Sequence, residues 1–134
     1  MEKTTIMVEL SAIGDNFNPD QITERLAIKP TEQYRKGDFS KLNFEREESC
    51  WTISTGYVET LYVEDVLNQL IHIMSGKKSV LINLKNEFDL IYKIFIVINI
   101  EEEIKPAIYL ENSFIEFANA INAEVDFDLY WYLD

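Results

Sequence analysis

The stretch LIYKIFIVINI, Leu90–Ile100, decides the fold. Large residues occupy both of its alternating faces, Ile94, Ile96 and Ile98 on one and Phe95 and Val97 on the other. A strand apolar on both sides reads as the centre of a sheet. Three other segments alternate with only one dry face, as strands beside such a centre should. In residues 4–13, Ile6, Val8, Leu10 and Ala12 oppose Thr5, Met7, Glu9 and Ser11. In residues 50–57, Trp51, Ile53, Thr55 and Tyr57 oppose Cys50, Thr52, Ser54 and Gly56. At the end of the chain, Val125, Phe127, Leu129, Trp131 and Leu133 oppose Glu124, Asp126, Asp128, Tyr130 and Tyr132. The first of these two terminal sets is expected to point inward. Glu32–Arg35 and Ala107–Leu110 read as short extended pieces.

Helices separate the strands. Asn18 is a good N-cap, Pro19 fits the first helical position and Asp20 complements the dipole. That helix buries Ile22 and Leu26 and must stop before Pro30. The strongest helix runs from about 61 to 75. Its apolar stripe is Val63, Val66, Leu67, Leu70, Ile71 and Met74, with Glu64, Asp65, Asn68, Gln69 and His72 opposite and Gly76 as the stop. Residues 77–88 fit two patterns: Val80, Leu81, Leu84 and Phe88 at helical spacing, or Val80, Ile82 and Leu84 at strand spacing. Helix is favoured, because Ile82 is the only apolar residue off the helical stripe. Ser113 and Glu116 form a capping-box pattern for a last helix that buries Phe114, Phe117, Ala118 and Ile121.

Amphipathic helices among one-sided strands give an α+β architecture in two layers. The sheet is mainly antiparallel or mixed, the helices lie on one face, and a ferredoxin-like arrangement is one topology of that kind. The chain has 134 residues and 15.7 kDa, which suits one domain spanning 1–134. A net charge of −12 argues against binding a nucleic-acid backbone, and one cysteine excludes an internal disulfide framework. The longest uncharged apolar run, Ile94–Ile100, has seven residues, far short of the about 20 that a membrane-spanning helix needs. With no signal-peptide pattern at the N-terminus, a cytoplasmic location is expected.

Several signals occur together in a longer pattern. Gly14, Asp15, Phe17, Pro19, Ile22, Thr23, Leu26, Ile28, Pro30 and Thr31 precede Lys36-Gly37-Asp38. Trp51, Thr55-Gly56-Tyr57 and a terminal Phe127-Asp128-x-Tyr130 follow. The chain resembles the bacterial domain of unknown function 4279 family over nearly its whole length. That resemblance implies small stand-alone cytosolic proteins and brings no catalytic residues with it. Similar small acidic proteins are associated with toxin–immunity neighbourhoods.

No catalytic set, cofactor site or metal site is visible. His72 lies opposite the apolar stripe of its helix, where nothing would hold it against a nucleophile. Cys50 has no basic residue placed to activate it. No phosphate-binding glycine loop occurs. Two surfaces remain. The first is the sheet face of Phe95, Asp126, Asp128, Tyr130 and Tyr132, which is a contact surface for a protein partner or for self-association unless residues 38–49 cover it. The second is the irregular 31–48 segment, where Arg35, Lys36 and Asp38 are a candidate ligand loop. The expected function is a small acidic non-enzymatic interaction module, most sharply an immunity-type inhibitor of a basic toxin. The alternatives are a small-ligand sensor using residues 31–48, or an enzyme using the acidic strand face.

Overall fold

A computed structural model describes residues 3–132. Leu133, expected on the apolar face of the last strand, lies outside the described residues. Six strands form one sheet: β1 (Thr5–Gly14), β2 (Glu32–Tyr34), β3 (Ser49–Ser54), β4 (Val58–Glu59), β5 (Ile91–Ile100) and β6 (Glu124–Trp131). Four helices accompany them: α1 (Asp20–Leu26), α2 (Val63–Ile73), α3 (Lys78–Phe88) and α4 (Asn112–Ala120). None of these helices is long and apolar enough to cross a membrane.

The strand order is β2-β3-β1-β5-β6, and β4 pairs with β1 beyond the end of β3. β1 is antiparallel to β3, β4 and β5, whereas β5 and β6 are parallel, so the sheet is mixed. A ferredoxin-like sheet splits its βαβ units with an intervening strand. Here β5 and β6, joined through α4, are direct neighbours.

The helices pack on one face. Ile6, Val8, Leu10 and Ala12 of β1 stand beside Ile98, Ile96, Ile94 and Tyr92 of β5, all buried. Trp51 and Ile53 of β3 continue the same rows beside Ala12 and Leu10. Val63, Val66, Leu67 and Leu70 of α2, Leu81 and Leu84 of α3, and Phe114, Phe117 and Ala118 of α4 close this core from above. Two of its buried polar tips tie helix to sheet. The Trp51 indole N–H donates to Thr23 Oγ1 at 2.9 Å, and the Tyr92 hydroxyl donates to the Leu81 carbonyl at 2.7 Å. At Gly14 the chain leaves β1 so close to Phe17 that an added Cβ would lie 2.9 Å from its ring.

The local signals work as physics predicts in most places. Asn18 Oδ1 accepts the Asp20 amide at 3.1 Å as α1 begins. The chain leaves α1 through Ala27 in the left-handed region, at φ 55°. Residues 78–88 are helical, with Ile82 on the solvent side. His72 is exposed and Leu70 buried.

Four expectations are corrected. The strand expected over residues 50–57 ends at Ser54, because the chain turns at Gly56 with φ 74°, and Tyr57 is exposed rather than on a dry face. Residues 107–110 are not a strand; Ala107 alone bridges Tyr62, because its backbone is taken by Leu61 and Val63. The capping box of Ser113 and Glu116 does not form, because the helix has already started at Asn112, with the Glu111 carbonyl accepting the Phe114 and Ile115 amides. Most consequentially, Val125, Phe127, Leu129 and Trp131 lie on the helix side of the sheet but are exposed. α4 spends its apolar face on the core and its neighbours α2 and α3, and the helix layer ends before β6.

The α2 packing gives a direct test. Leu70→Ala should cost about 2–5 kcal/mol, because a fully buried side chain leaves a cavity. His72→Ala should stay within about ±0.5 kcal/mol. Urea midpoints of the two variants would measure the contrast, and equal losses would place the wrong face of α2 against the sheet.

Candidate functional site

The outer sheet face, opposite the helices, is built by the pairing register. Phe95 of β5 lies between Glu9 of β1 and Asp126 of β6. Val97 lies between Met7 and Asp128, and Asn99 between Thr5 and Tyr130. Lys93 lies between Ser11 and Glu124, with its ammonium 3.9 Å from the Glu124 carboxylate and 6.0 Å from the centre of the Phe95 ring. The register therefore brings Phe95, Asp126, Asp128 and Tyr130 into neighbouring rows. Strand alternation sends Tyr132 to the same face. Tyr130 and Tyr132 are half-exposed, and Asp126 is exposed.

The 38–49 segment does not cover the β5–β6 part of this face; its Arg46 lies over Tyr34 at the β2 end. It hangs between β2 and β3, at the opposite end of the strand order from β6, with β1 and β5 in between. Its apolar side chains turn to solvent, with Leu42 84% and Phe39 68% exposed.

Arg35, Lys36 and Asp38 sit where the chain leaves β2 for that segment, far along the sheet from Tyr130. Their polar groups hold the turn together. Asp38 Oδ2 accepts the Arg35 amide at 2.8 Å, and the Lys36 amide donates to Ser49 Oγ at 3.0 Å. Lys36 Nζ pairs with Asp15 at 3.3 Å. The more organised group there is Arg46, whose guanidinium lies 4.0 Å from the Tyr34 ring centre and 4.9 Å from that of Phe44. Its basic character was legible in the sequence; its aromatic partners were not, because they lie on two different limbs of the loop. The depressions around these residues are open to solvent.

The polar part of the outer face lies over β1 and β3. Ser11 and Thr52 share a 2.7 Å hydrogen bond, and Cys50 Sγ lies 3.5 Å from Thr52 Oγ1. Burial pushes the Cys50 thiol up, against the opposing pull of hydrogen bonds with Thr52, Tyr34 and Ser11. A thiol held protonated is a poor nucleophile. Burial, with the neighbouring Cys50 adding to it, pushes the Tyr34 phenol up to about 12. Among the described residues, no group of three or more His, Cys, Asp or Glu side chains is arranged to hold a metal ion.

Glu9 is the strained charge of this face. Desolvation beside Phe95, with repulsion from Glu32 second, raises its carboxyl above the ordinary range. An acid whose folded pKa exceeds its unfolded one destabilises the fold when ionised. That penalty is complete above the folded pKa and vanishes below the unfolded value of about 4.3. Glu9→Gln should therefore raise the urea midpoint at pH 7, and the gain should fade as the pH drops below about 4. A gain of the same size at both pH values would mean that the charge of Glu9 is not what strains the site.

The chain belongs to the family described as Domain of unknown function (DUF4279), which it matches over residues 2–132. No curated protein and no solved structure matches it.

Proposed function

We propose that this member of the DUF4279 family is a non-enzymatic interaction module that presents the outer face of β5 and β6 to a protein partner rich in basic groups. One observation carries the reading: three carboxylates, Glu124, Asp126 and Asp128, run into two tyrosines, Tyr130 and Tyr132, along a strand face that no helix or loop covers among the described residues. Tyrosine suits such a surface because a rigid apolar ring and a polar tip make contact at little entropic cost. Glu124, Asp126 and Asp128 on the same face supply charge, and the net −12 of the chain steers it toward cationic surfaces. The buried, protonated Cys50 and the solvent-facing His72 favour binding over catalysis as the role of the domain. The sharpest form of the proposal is an immunity-type inhibitor seated against a basic toxin.

The test is comparative capture from the source cells. The wild-type chain should enrich a basic protein that the Tyr130→Ala, Tyr132→Ala double variant fails to enrich. Calorimetry with that protein should then show a loss above about 1 kcal/mol, the hot-spot threshold. Circular dichroism should show that the variant is folded. Equal recovery by a folded double variant would remove this face from consideration.

A further inference from the structure

Among the described residues, β6 has neither a helix above it nor a strand beyond it. Its helix-side residues Phe127, Leu129 and Trp131 are 37%, 57% and 52% exposed. Beyond the strand's end, the Tyr132 amide donates to the Ile100 carbonyl at 3.0 Å. Alternate residues of a strand direct their backbone groups to the same side. The amides of Asp126, Asp128 and Tyr130 thus face β5, and those of Val125, Phe127, Leu129 and Trp131 face the open edge. The same four residues offer apolar side chains and unpaired backbone groups together. A long edge of this kind is a template for pairing. The opposite edge is unlike it: β2 has three residues and runs into a charged loop.

We propose that β6 pairs antiparallel with β6 of a second copy of this chain, about a two-fold axis at Leu129. The residues themselves select the register. Opposed residues must share a sheet face, so the axis has to pass through a residue. An axis at Phe127 would set Asp126 opposite Asp128 of the second copy, twice. An axis at Asp128 would set the two Asp128 carboxylates against each other. Like charges directly opposite are destabilising, and aromatic cross-strand pairs are stabilising. An axis at Leu129 sets no described acid opposite another. Asp128 then faces Tyr130 of the second copy and Asp126 faces its Tyr132, so each phenol O–H has a carboxylate to receive it. On the other face Phe127 meets Trp131 of the second copy, and the two Leu129 side chains meet on the axis. Among the described residues, an axis at Tyr130 pairs only the span 128–132.

The size is adequate. Three outward pairs in this register exchange about six backbone hydrogen bonds. The half-exposed side chains from Phe127 to Tyr132 bury on the order of 500 Å² per copy, roughly 1,000 Å² in all, which is the lower end for a specific interface. A charge of −12 on each chain opposes the contact, so screening by salt strengthens it. The product is one continuous sheet whose acidic outer face is doubled across the axis.

Sedimentation velocity of the full chain tests this. The mass should rise with concentration from 15.7 kDa toward twice that value, at lower concentration in roughly 1 M salt than in 0.15 M. Leu129→Lys, which puts two cations on the axis, should stay monomeric with an unchanged circular dichroism spectrum. The register is read by cysteine cross-linking in a Cys50→Ser background. Leu129→Cys should form a covalent dimer in air, because directly opposed residues stand about 5.5 Å apart at Cα, within disulfide reach. Phe127→Cys should not. A chain monomeric at every concentration and salt overturns the proposal, as does a dimer indifferent to Leu129→Lys. Cross-linking through Phe127→Cys instead of Leu129→Cys overturns the register. A monomeric chain that still captures a basic protein through Tyr130 and Tyr132 would sink the second copy and leave the proposed function standing.

Discussion

The pairing of β1 with β5 is what the other elements answer to. Nine successive residue pairs, from Thr5↔Asn99 to Ile13↔Ile91, hold the two strands in antiparallel register. That register puts four β-branched or aliphatic residues of β1 beside four large residues of β5 on one face, and burial of those rows is the main favourable term available to a chain of this size. Helices then have a dry surface to cover. The buried tips of Trp51 and Tyr92 need partners, since a polar group left unsatisfied in the core is costly. Thr23 of α1 and the Leu81 carbonyl of α3 supply them, which aligns those helices to particular strands. Among the described residues no buried side-chain polar atom is left without a partner.

The cost of this arrangement falls on β6. The chain adds it parallel to β5 through α4, yet α4 directs Phe114 and Phe117 into the core beside α2 rather than over the new strand. The sheet is thus one strand wider than the helix layer. Both faces and one edge of β6 meet solvent, and its two faces differ in character: aromatic and aliphatic on the helix side, acidic and phenolic on the other. A strand so exposed is a liability unless something pairs with it. The acids make indiscriminate stacking unfavourable and leave few registers open. The proposed interaction through β6 therefore rests on where the helix layer stops.

Much of this was legible in the sequence. The two-sided apolar pattern of residues 91–100 identified a central strand, and the stripe from Val63 to Met74 gave the buried face of α2. The face shared by Phe95, Asp126, Asp128 and Tyr130 could be grouped from alternation alone. The exposure of Phe127, Leu129 and Trp131 could not. Alternation says which side of a sheet a residue joins and carries no information on whether a helix reaches that side. The extra strand β4 was missed because two residues are too few to show a period. The stacking of Arg46 on Tyr34 and Phe44 was invisible for a different reason: it depends on a turn centred beyond Gly37, which brings residues from separate limbs together.

Amide hydrogen exchange along β6 tests most directly whether the helix layer and the sheet stop where they do. In dilute solution the amides of Asp126, Asp128 and Tyr130, bonded to β5, should exchange slowly, and those of Phe127, Leu129 and Trp131 should exchange fast. The amides of Met7, Glu9, Phe95 and Val97, which face one another between β1 and β5, should be slowest of all, since they open only with the whole fold. Uniform protection along β6 at every dilution would show that something in the same chain covers the edge. Uniformly fast exchange would show that β6 is not docked on β5, and either result would contradict the account.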